Sequence, residues 1–338
     1  MLGKPYRKVL VNAACVAAGI LIIALIILGL QESLGYVQVT STPPGWEIVR
    51  PPAEAYTLLI ENDTIWTGGK DGIIIISRTN RSRIPLPEGA PPTSYVRQIF
   101  RDHGGRIWIG HDGGLATYTN GSWRVIAPGP DIPFRRVMSI AQLPDGSMIA
   151  GSDTDAFVHN GSGWQSLSSR GMPPVALAEI LIVTRGGDLW VGCGEPMRGA
   201  LLRFDGSSWH QYGVKDGLPH PSVRALFEDR TGAVWAATGY SRNGGAARYF
   251  AGSWTNYTVA DGLAGEATRS VYEDERGRIW VGSEYDGIAI RENQSWKIVS
   301  MKDGLAGNEV KIMAQEPDGT YWLGTEKGLS RIDWTAAP

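Results

Sequence analysis

The placing of tryptophan along the chain is the feature that most constrains its fold. Six of the 13 tryptophans in this 338-residue sequence follow an apolar or aromatic residue and stand two positions before a glycine or alanine. With Ile149 filling one gap, the pattern recurs at positions 66, 108, 149, 190, 235, 280 and 322. The separations are 42, 41, 41, 45, 45 and 42 residues. Self-similarity at such a period predicts a repeat architecture.

A second tryptophan series accompanies the first and falls within each repeat. Its members follow glycine or serine: Trp46, Trp123, Trp164, Trp209, Trp254 and Trp296. In the fifth unit we predict strands over 222–228, 233–238, 246–250 and 254–258, with a Gly-rich loop between the second and third. Four strands in 40–45 residues are the dimensions of a propeller blade. The 44 glycines of the sequence suit the many turns that such blades need.

Carboxylates recur in the turn before the tryptophan strand. Asp102, Asp229 and Asp274 each open an Asp-x-x-Gly segment, which has the preference of a type I turn. A catalytic pair is needed once, so this repetition favours a structural role in the turns.

The ends of the sequence predict how the ring closes. Seven first strands are expected near 56–60, 95–100, 136–142, 178–184, 222–228, 268–273 and 309–315. The last unit has no fourth strand, whereas residues 45–49 have the sequence of a fourth strand without a blade. Pairing the two removes two exposed sheet edges. The expected fold is therefore an all-β, seven-bladed β-propeller over residues 36–338, closed by an N-terminal strand.

Residues 9–30 form an apolar run of 22 residues, which a helix would extend over about 33 Å, enough to span a bilayer. Lys4, Arg7 and Lys8 precede it, and the next basic residue is Arg50. The positive-inside rule then predicts a cytoplasmic N-terminus and a periplasmic or extracellular propeller. A cleaved signal peptide is the alternative, although its apolar region is usually shorter. Residues 1–35 are thus predicted to be a short cytoplasmic tail and a transmembrane signal anchor.

Charge and cysteine content exclude several classes of protein. The net charge is −2 with 20 % charged residues, so neither a nucleic-acid partner nor disorder is expected. The two cysteines, Cys15 in the predicted span and Cys193 in the propeller, make an intramolecular disulfide implausible. The propeller must then be stabilised by packing alone, which about 300 residues allow.

The last three units share a further motif, Asp-Gly-Leu, beginning at Asp216, Asp261 and Asp303, each 19 residues before its strand tryptophan. Together with the segments 228–235 and 322–329, it makes the chain resemble the two-component regulator propeller repeat over about residues 40–334. The third unit lacks the tryptophan, and the first has a shortened first turn.

This resemblance implies an extracytoplasmic sensor that binds a ligand, often a carbohydrate, and is usually fused to a kinase module. The sequence has no kinase signature. We therefore expect either signalling through a separate membrane sensor or kinase partner, or a tethered binding module.

Basic residues recur eleven positions before the strand tryptophan in four units: Arg97, Arg224, Arg269 and Lys311. The fourth unit has Glu179 there. This position falls early in the first strand, which lines the channel of a propeller, so a partly basic ring is predicted at the channel mouth. Such a ring would suit an anionic ligand such as an acidic glycan. The alternative is that these residues pair with acids of neighbouring blades.

Loops on the same face provide further candidate ligand-binding residues, namely His111, Tyr240, Arg242 and Tyr285. The five histidines show no metal-ligand spacing, so no metal or cofactor is expected. A nucleophile elbow and a phosphate loop are also missing from the sequence. A non-catalytic module that binds a ligand or a protein partner is favoured. The alternative is a lyase or hydrolase resembling streptogramin lyase, also seven-bladed, for which no catalytic histidine or metal carboxylate can be identified.

Overall fold

A computed structural model describes residues 38–41, 43–129 and 132–334 of the protein. Within them, seven antiparallel sheets follow one another as blades. The first strands of successive blades contact each other, and that of blade 7 contacts that of blade 1, so the ring is closed. The predicted seven-bladed β-propeller is confirmed. The predicted span at 9–30 lies outside the described residues, and among the described residues no helix is long and apolar enough to cross a membrane.

The strands are numbered along the chain, and each blade runs from its innermost to its outermost strand. In the described part of the chain two strands precede the first blade: β1 (Gln38–Ser41) and β2 (Trp46–Arg50). Blades 1 and 2 comprise β3 (Thr57–Glu61), β4 (Thr64–Gly69), β5 (Gly72–Ser77), β6 (Arg83–Ile84), β7 (Val96–Arg101), β8 (Ile107–His111), β9 (Gly114–Thr119) and β10 (Ser122–Ile126). Blades 3 and 4 comprise β11 (Val137–Gln142), β12 (Met148–Ser152), β13 (Ala156–His159), β14 (Trp164–Ser166), β15 (Ala178–Val183), β16 (Leu189–Cys193), β17 (Leu201–Phe204) and β18 (Trp209–Tyr212).

Blades 5 to 7 complete the ring. They comprise β19 (Val223–Glu228), β20 (Val234–Tyr240), β21 (Asn243–Phe250), β22 (Ser253–Tyr257), β23 (Thr268–Glu273), β24 (Ile279–Ser283), β25 (Ile288–Glu292), β26 (Ser295–Val299), β27 (Val310–Gln315), β28 (Tyr321–Thr325) and β29 (Gly328–Ile332). Four 3₁₀ helices lie between blades: Ser168–Arg170, Val214–Asp216, Val259–Asp261 and Met301–Asp303. The first strands lie within a residue or two of their predicted positions.

Blade 7 is closed by the N-terminal segment, as predicted. Strand β2 pairs antiparallel with β29, with Trp46 opposite Ile332 and Val49 opposite Leu329. Strand β1 adds a fifth strand outside β2, which the sequence did not indicate. Trp334, the tryptophan outside both series, packs against Trp46 with 5.6 Å between ring centroids. The closure therefore combines backbone pairing with an aromatic contact.

The blades have two ends, and every candidate residue is placed relative to them. Each first strand begins at the end where its blade's second and third strands are joined and where the chain crosses to the next blade. We call this the mouth end and the opposite one the far end. In blade 5 the expected Gly-rich loop is instead a continued hairpin, with Tyr240 opposite Asn243 and a two-residue turn at Ser241 and Arg242. This hairpin extends the mouth end of blade 5.

The glycine that follows the strand tryptophan is explained by close packing between blades. A Cβ built on Gly110 would lie 2.7 Å from a methyl carbon of Val137, the first residue of the next blade. On Gly192 it would lie 2.7 Å from a methyl carbon of Val223. Adjacent blades approach most closely near the axis, so a side chain at this position has no space.

The Asp-Gly-Leu motif forms the connection between blades. Asp261 is the last residue of the 3₁₀ helix Val259–Asp261, and its carboxylate accepts a 2.9 Å hydrogen bond from the backbone N–H of Thr258. Gly262 has φ +114°, a left-handed conformation that side chains rarely adopt. Leu263 is then buried in the cluster between blades 5 and 6. The motif is therefore a structural joint, and it repeats at Asp216 and Asp303.

Candidate functional site

One residue at or just before the start of each first strand faces the central channel at the mouth end. We call these seven residues the channel ring: Tyr56, Arg97, Met138, Glu179, Arg224, Arg269 and Lys311. In blades 2 to 7 the residue lies at a shift in register between the first and second strands. Such bulges redirect a side chain out of the regular alternation. The four basic residues predicted from spacing do converge on the channel.

The ring surrounds a cavity of about 370 Å³. Further along the first strands, towards the far end, its wall is more apolar and includes Ile99, Leu226 and Met313. An apolar wall with a few polar groups at one level is typical of small-molecule pockets, and the volume is within their usual range.

Three of the four basic ring residues are held by acids, Arg97 by one of its own blade and Arg269 and Lys311 by acids at the connection to the next blade, the kind of pairing that the alternative interpretation expected. Arg97 forms a two-pronged ion pair with Asp112, at 2.8 and 3.0 Å. The Nη2 of Arg269 lies 2.6 Å from Oε1 of Glu309. The mouth therefore carries mixed charge rather than a free basic ring.

Lys311 belongs to the same network through Glu54, whose Oε1 lies 2.6 Å from the Lys311 Nζ and accepts a 2.7 Å hydrogen bond from Tyr95. Burial works to raise the pKa of Glu54, but the hydrogen bonds from Lys311 and Tyr95 outweigh it and hold the pKa below its ordinary value. The Arg97 guanidinium lies 4.1 Å from the centroid of the Tyr95 ring. Glu54 therefore links the first, second and seventh blades as an ionised carboxylate.

The opposite side of the ring is less fully paired. Tyr56 donates a 3.0 Å hydrogen bond to Oε1 of Glu179 across the channel. Arg224 approaches the same oxygen only to 3.8 Å, and its buried Nε has no hydrogen-bond partner among the described residues. Burial and the Glu179 carboxylate both raise the pKa of Tyr56, which keeps its hydroxyl protonated. This part of the ring thus holds a donor, an acceptor and a cation with unused hydrogen-bonding capacity.

Three of the four predicted loop residues form one cluster. The Arg242 guanidinium lies 5.0 Å from the centroid of the Tyr285 ring, and Tyr240 lies next to the blade 5 hairpin turn that contains Arg242. The two tyrosines are exposed, at 46 % and 41 %. These three residues form a rim cluster at the mouth end of blades 5 and 6, separate from the channel ring.

His111 belongs neither to the channel ring nor to the rim cluster. It ends β8 and is buried, and its Nδ1 accepts a 3.1 Å hydrogen bond from the N–H of Gly113. Burial lowers the pKa of its imidazole. A neutral imidazole that holds the β8–β9 turn explains this placement.

Sequence reasoning missed Tyr56 and the acids Glu54 and Glu309. Because the first turn of blade 1 is shortened, Tyr56 lies ten residues before Trp66 rather than eleven, so the spacing rule skipped it. The two acids lie just before first strands, where the connections between blades end. Aligning the units by strand pairing rather than by count would have found Tyr56.

The described residues contain no group of three or more histidines, cysteines or carboxylates arranged to hold a metal ion. Cys193 is a free, buried thiol, and burial raises its pKa to about 11. Its thiolate is therefore scarcely populated at neutral pH.

Fold and site together define a seven-bladed β-propeller with a polar channel mouth. The family model described as two-component regulator propeller matches residues 262–285, which confirms the resemblance inferred from the Asp-Gly-Leu motif. No curated protein sequence matches the chain.

Solved structures show the same fold at low sequence identity. The extracellular domain of the hybrid two-component system BT3049 from B. thetaiotaomicron is similar with a TM-score of 0.73 at 15 % identity, over 87 % of this chain and 41 % of that one. PorZ, a bacterial surface component of the type-IX secretion system of Porphyromonas gingivalis, gives 0.67 at 16 % over 86 % and 48 %. Virginiamycin B lyase from Staphylococcus aureus gives 0.63 at 12 % over 87 % and 98 %. The chain thus spans less than half the length of the first two proteins.

Proposed function

We propose that the protein is a non-catalytic, extracytoplasmic binding module of a sensory system. In this proposal residues 1–35 anchor it to the membrane, and a separate membrane sensor or kinase receives its signal. The family match at residues 262–285 supports a role in a sensory system. The similar extracellular domain of the hybrid two-component system BT3049 contains a propeller of the same fold. The polar channel ring supports a binding role.

The ligand enters the mouth and is held by Tyr56, Glu179 and Arg224. The observation that carries this assignment is the buried Arg224 Nε, which has no hydrogen-bond partner among the described residues, while the Nη1 of the same guanidinium lies 3.8 Å from Oε1 of Glu179. A buried donor left unpaired costs free energy, which a ligand oxygen would recover. Because the other basic residues of the ring are already paired, a free basic ring does not select the ligand. A compact saccharide or carboxylated sugar with several hydroxyl groups suits the mixed donors and acceptors.

Glycan-array screening of the full chain in detergent, followed by calorimetry of the best ligand, tests this function. Arg224→Gln and Glu179→Gln should each weaken binding at least about tenfold, the effect of losing one charge-assisted hydrogen bond of about 1.4 kcal/mol. Arg185→Gln is the control, because Arg185 pairs with Glu228 at the far end. Binding that is unchanged in both ring variants would overturn the channel-mouth assignment.

The same preparation distinguishes the lyase alternative. A lyase would convert a bound ligand, whereas a binding module returns it unchanged. Mass spectrometry of the recovered ligand therefore separates the two functions, and turnover would overturn the non-catalytic assignment.

A further inference from the structure

The chain enters the propeller at the mouth end. Gln38, the first described residue, pairs with Arg50 in the β1–β2 ladder. The Nε of Arg50 donates a 2.7 Å hydrogen bond to the carbonyl of Lys327, which lies in the β28–β29 turn at the mouth end of blade 7. The start of β1 therefore lies at the same end of the blades as the channel mouth.

This placement limits the distance between that face and the proposed anchor. Residues 31–37, seven in number, separate the predicted apolar span from β1. Even fully extended they reach about 25 Å at about 3.5 Å per residue. The far end, by contrast, lies across the whole height of the blades from the attachment point.

Exposed apolar side chains are concentrated on the same face. Nine large hydrophobic residues are strongly exposed among the described residues, and six of them lie in mouth-end loops: Met197, Val214, Tyr240, Val259, Tyr285 and Met301. Phe250 lies at the far end, and Val125 and Ile298 are on outer strands. All six belong to blades 4 to 7 or their connections, an arc of the ring that ends at blade 7, where the chain enters.

Two of these side chains stand at loop tips next to lysines. Val214 and Met301 begin 3₁₀ helices and are followed by the exposed Lys215 and Lys302. The aspartates that end the same helices are also exposed, but each accepts hydrogen bonds from backbone N–H groups. Apolar tips flanked by lysine suit the boundary between lipid headgroups and acyl chains.

From these observations we propose that the mouth end of blades 4 to 7 docks on the outer surface of the bilayer that holds the anchor. The occupant of this surface is lipid, inserted against Val214, Val259 and Met301 and contacted by the neighbouring lysines. Since the mouth-end loops of blades 1 to 3 carry none of these exposed residues among those described, the propeller leans and its mouth stays open on that side. The inference rests on the membrane anchor of the proposed function.

Site-specific fluorescence on the full chain in liposomes tests this orientation. A Cys15→Ser background leaves only the buried Cys193, so single Val214→Cys, Val259→Cys and Met301→Cys variants accept an environment-sensitive label. Phe250→Cys is the matched control, because Phe250 is 47 % exposed at the far end and Val259 is 46 % exposed at the mouth end. The liposomes contain phosphatidylcholine and phosphatidylglycerol, with or without a lipid carrying a spin label near the headgroup.

Docking predicts that the spin-labelled lipid lowers emission at the three mouth-end labels about twofold or more, since docked groups lie about 5–10 Å into the interface. The label at position 250 should be unaffected. Equal emission at all four positions would overturn docking, as would quenching at position 250. Quenching without spin-labelled lipid that rises with protein density would indicate a second copy as the occupant, and would also overturn it.

Carbonate extraction of the same liposomes separates this inference from the function on which it rests. A chain that stays in the membrane while its mouth-end labels remain unquenched refutes docking alone. A chain that is released refutes the anchor and docking together. Ligand binding, measured in detergent, depends on neither result.

Discussion

The indole Nε1 of Trp235 donates a 2.9 Å hydrogen bond to Oδ2 of Asp229, six residues earlier and across the turn between the first two strands of blade 5. Trp108 and Asp102 form the same bond at 2.8 Å in blade 2, and it recurs in blades 6 and 7. The other oxygen of Asp229 accepts from the backbone of the turn. One carboxylate therefore fixes the turn and orients the buried tryptophan.

Asp229→Ala should lower the free energy of unfolding by about 3 kcal/mol, because it leaves the buried Trp235 N–H and the half-buried Arg248 Nε without their acceptor. Urea unfolding of the full chain in mild detergent, followed by tryptophan fluorescence, measures the change. Asp145→Ala is the control, since Asp145 is exposed and accepts only from Ser147. A loss at Asp229 no larger than that at Asp145 would contradict the role of this pair.

These carboxylates also predict an acid limb of stability. Burial works to raise the pKa of Asp274, but hydrogen bonds from Arg278 and Trp280 outweigh it and hold the pKa below its ordinary value. Because the pKa is lower in the folded chain, the stabilisation is complete above about pH 4, the ordinary value for Asp. It is lost as pH falls through the folded-state pKa.

Urea midpoints measured from pH 7 to pH 3 should therefore fall at the acid end, and Asp274→Asn should flatten that decline while lowering stability at pH 7. Asp145→Asn is the control and keeps the wild-type profile. Equal slopes for Asp274→Asn and wild type would show that Asp274 does not contribute to the acid limb.

The close packing of Gly192 against the next blade gives a third prediction. A Cβ on Gly192 would lie 2.6 Å from a methyl carbon of Ile180 and 2.7 Å from one of Val223. Gly192→Ala should therefore destabilise the chain by about 1–3 kcal/mol through overpacking. Val223→Ala in the same chain should restore part of this loss, whereas Gly186→Ala, where the nearest atom is 3.8 Å away, should have little effect. Full tolerance of Gly192→Ala in thermal unfolding would contradict the close approach.

The fold was predictable from sequence because the residues that define the repeat make the same local contacts in successive blades. The strand tryptophan, the following glycine and the Asp-Gly-Leu joint recur at fixed spacing, since each performs the same task in successive blades. The closing strand at 46–50 was predictable by counting strands. Strand β1 was not, because its sequence carries neither a tryptophan nor a turn of the repeat.

The site was predictable only in position. The eleven-residue spacing placed Arg97, Arg224, Arg269 and Lys311 on the channel. The partners of Arg97 and Lys311, however, come from loops whose sequences do not recur from blade to blade. Which cation is satisfied depends on contacts within and between blades, and these are set by loop conformation. The unpaired Nε of Arg224 could therefore be found only in three dimensions.

Blade 4 lacks the acid that the strand tryptophans of blades 2, 5, 6 and 7 use, and this gives the last prediction. Trp190 is fully buried and its Nε1 has no hydrogen-bond partner among the described residues. Thr184 stands six residues earlier, where blade 5 has Asp229, and Arg203 lies 5.7 Å from the Trp190 ring.

Thr184→Asp should therefore supply the missing acceptor beside a cation and raise the free energy of unfolding by about 1 kcal/mol. In a Trp190→Phe chain, which has no indole donor, the same substitution should give no gain, and a double-mutant cycle of urea unfolding measures the difference. A gain that survives Trp190→Phe, or a loss in the wild-type chain, would show that the Trp–Asp bond is not what blade 4 lacks.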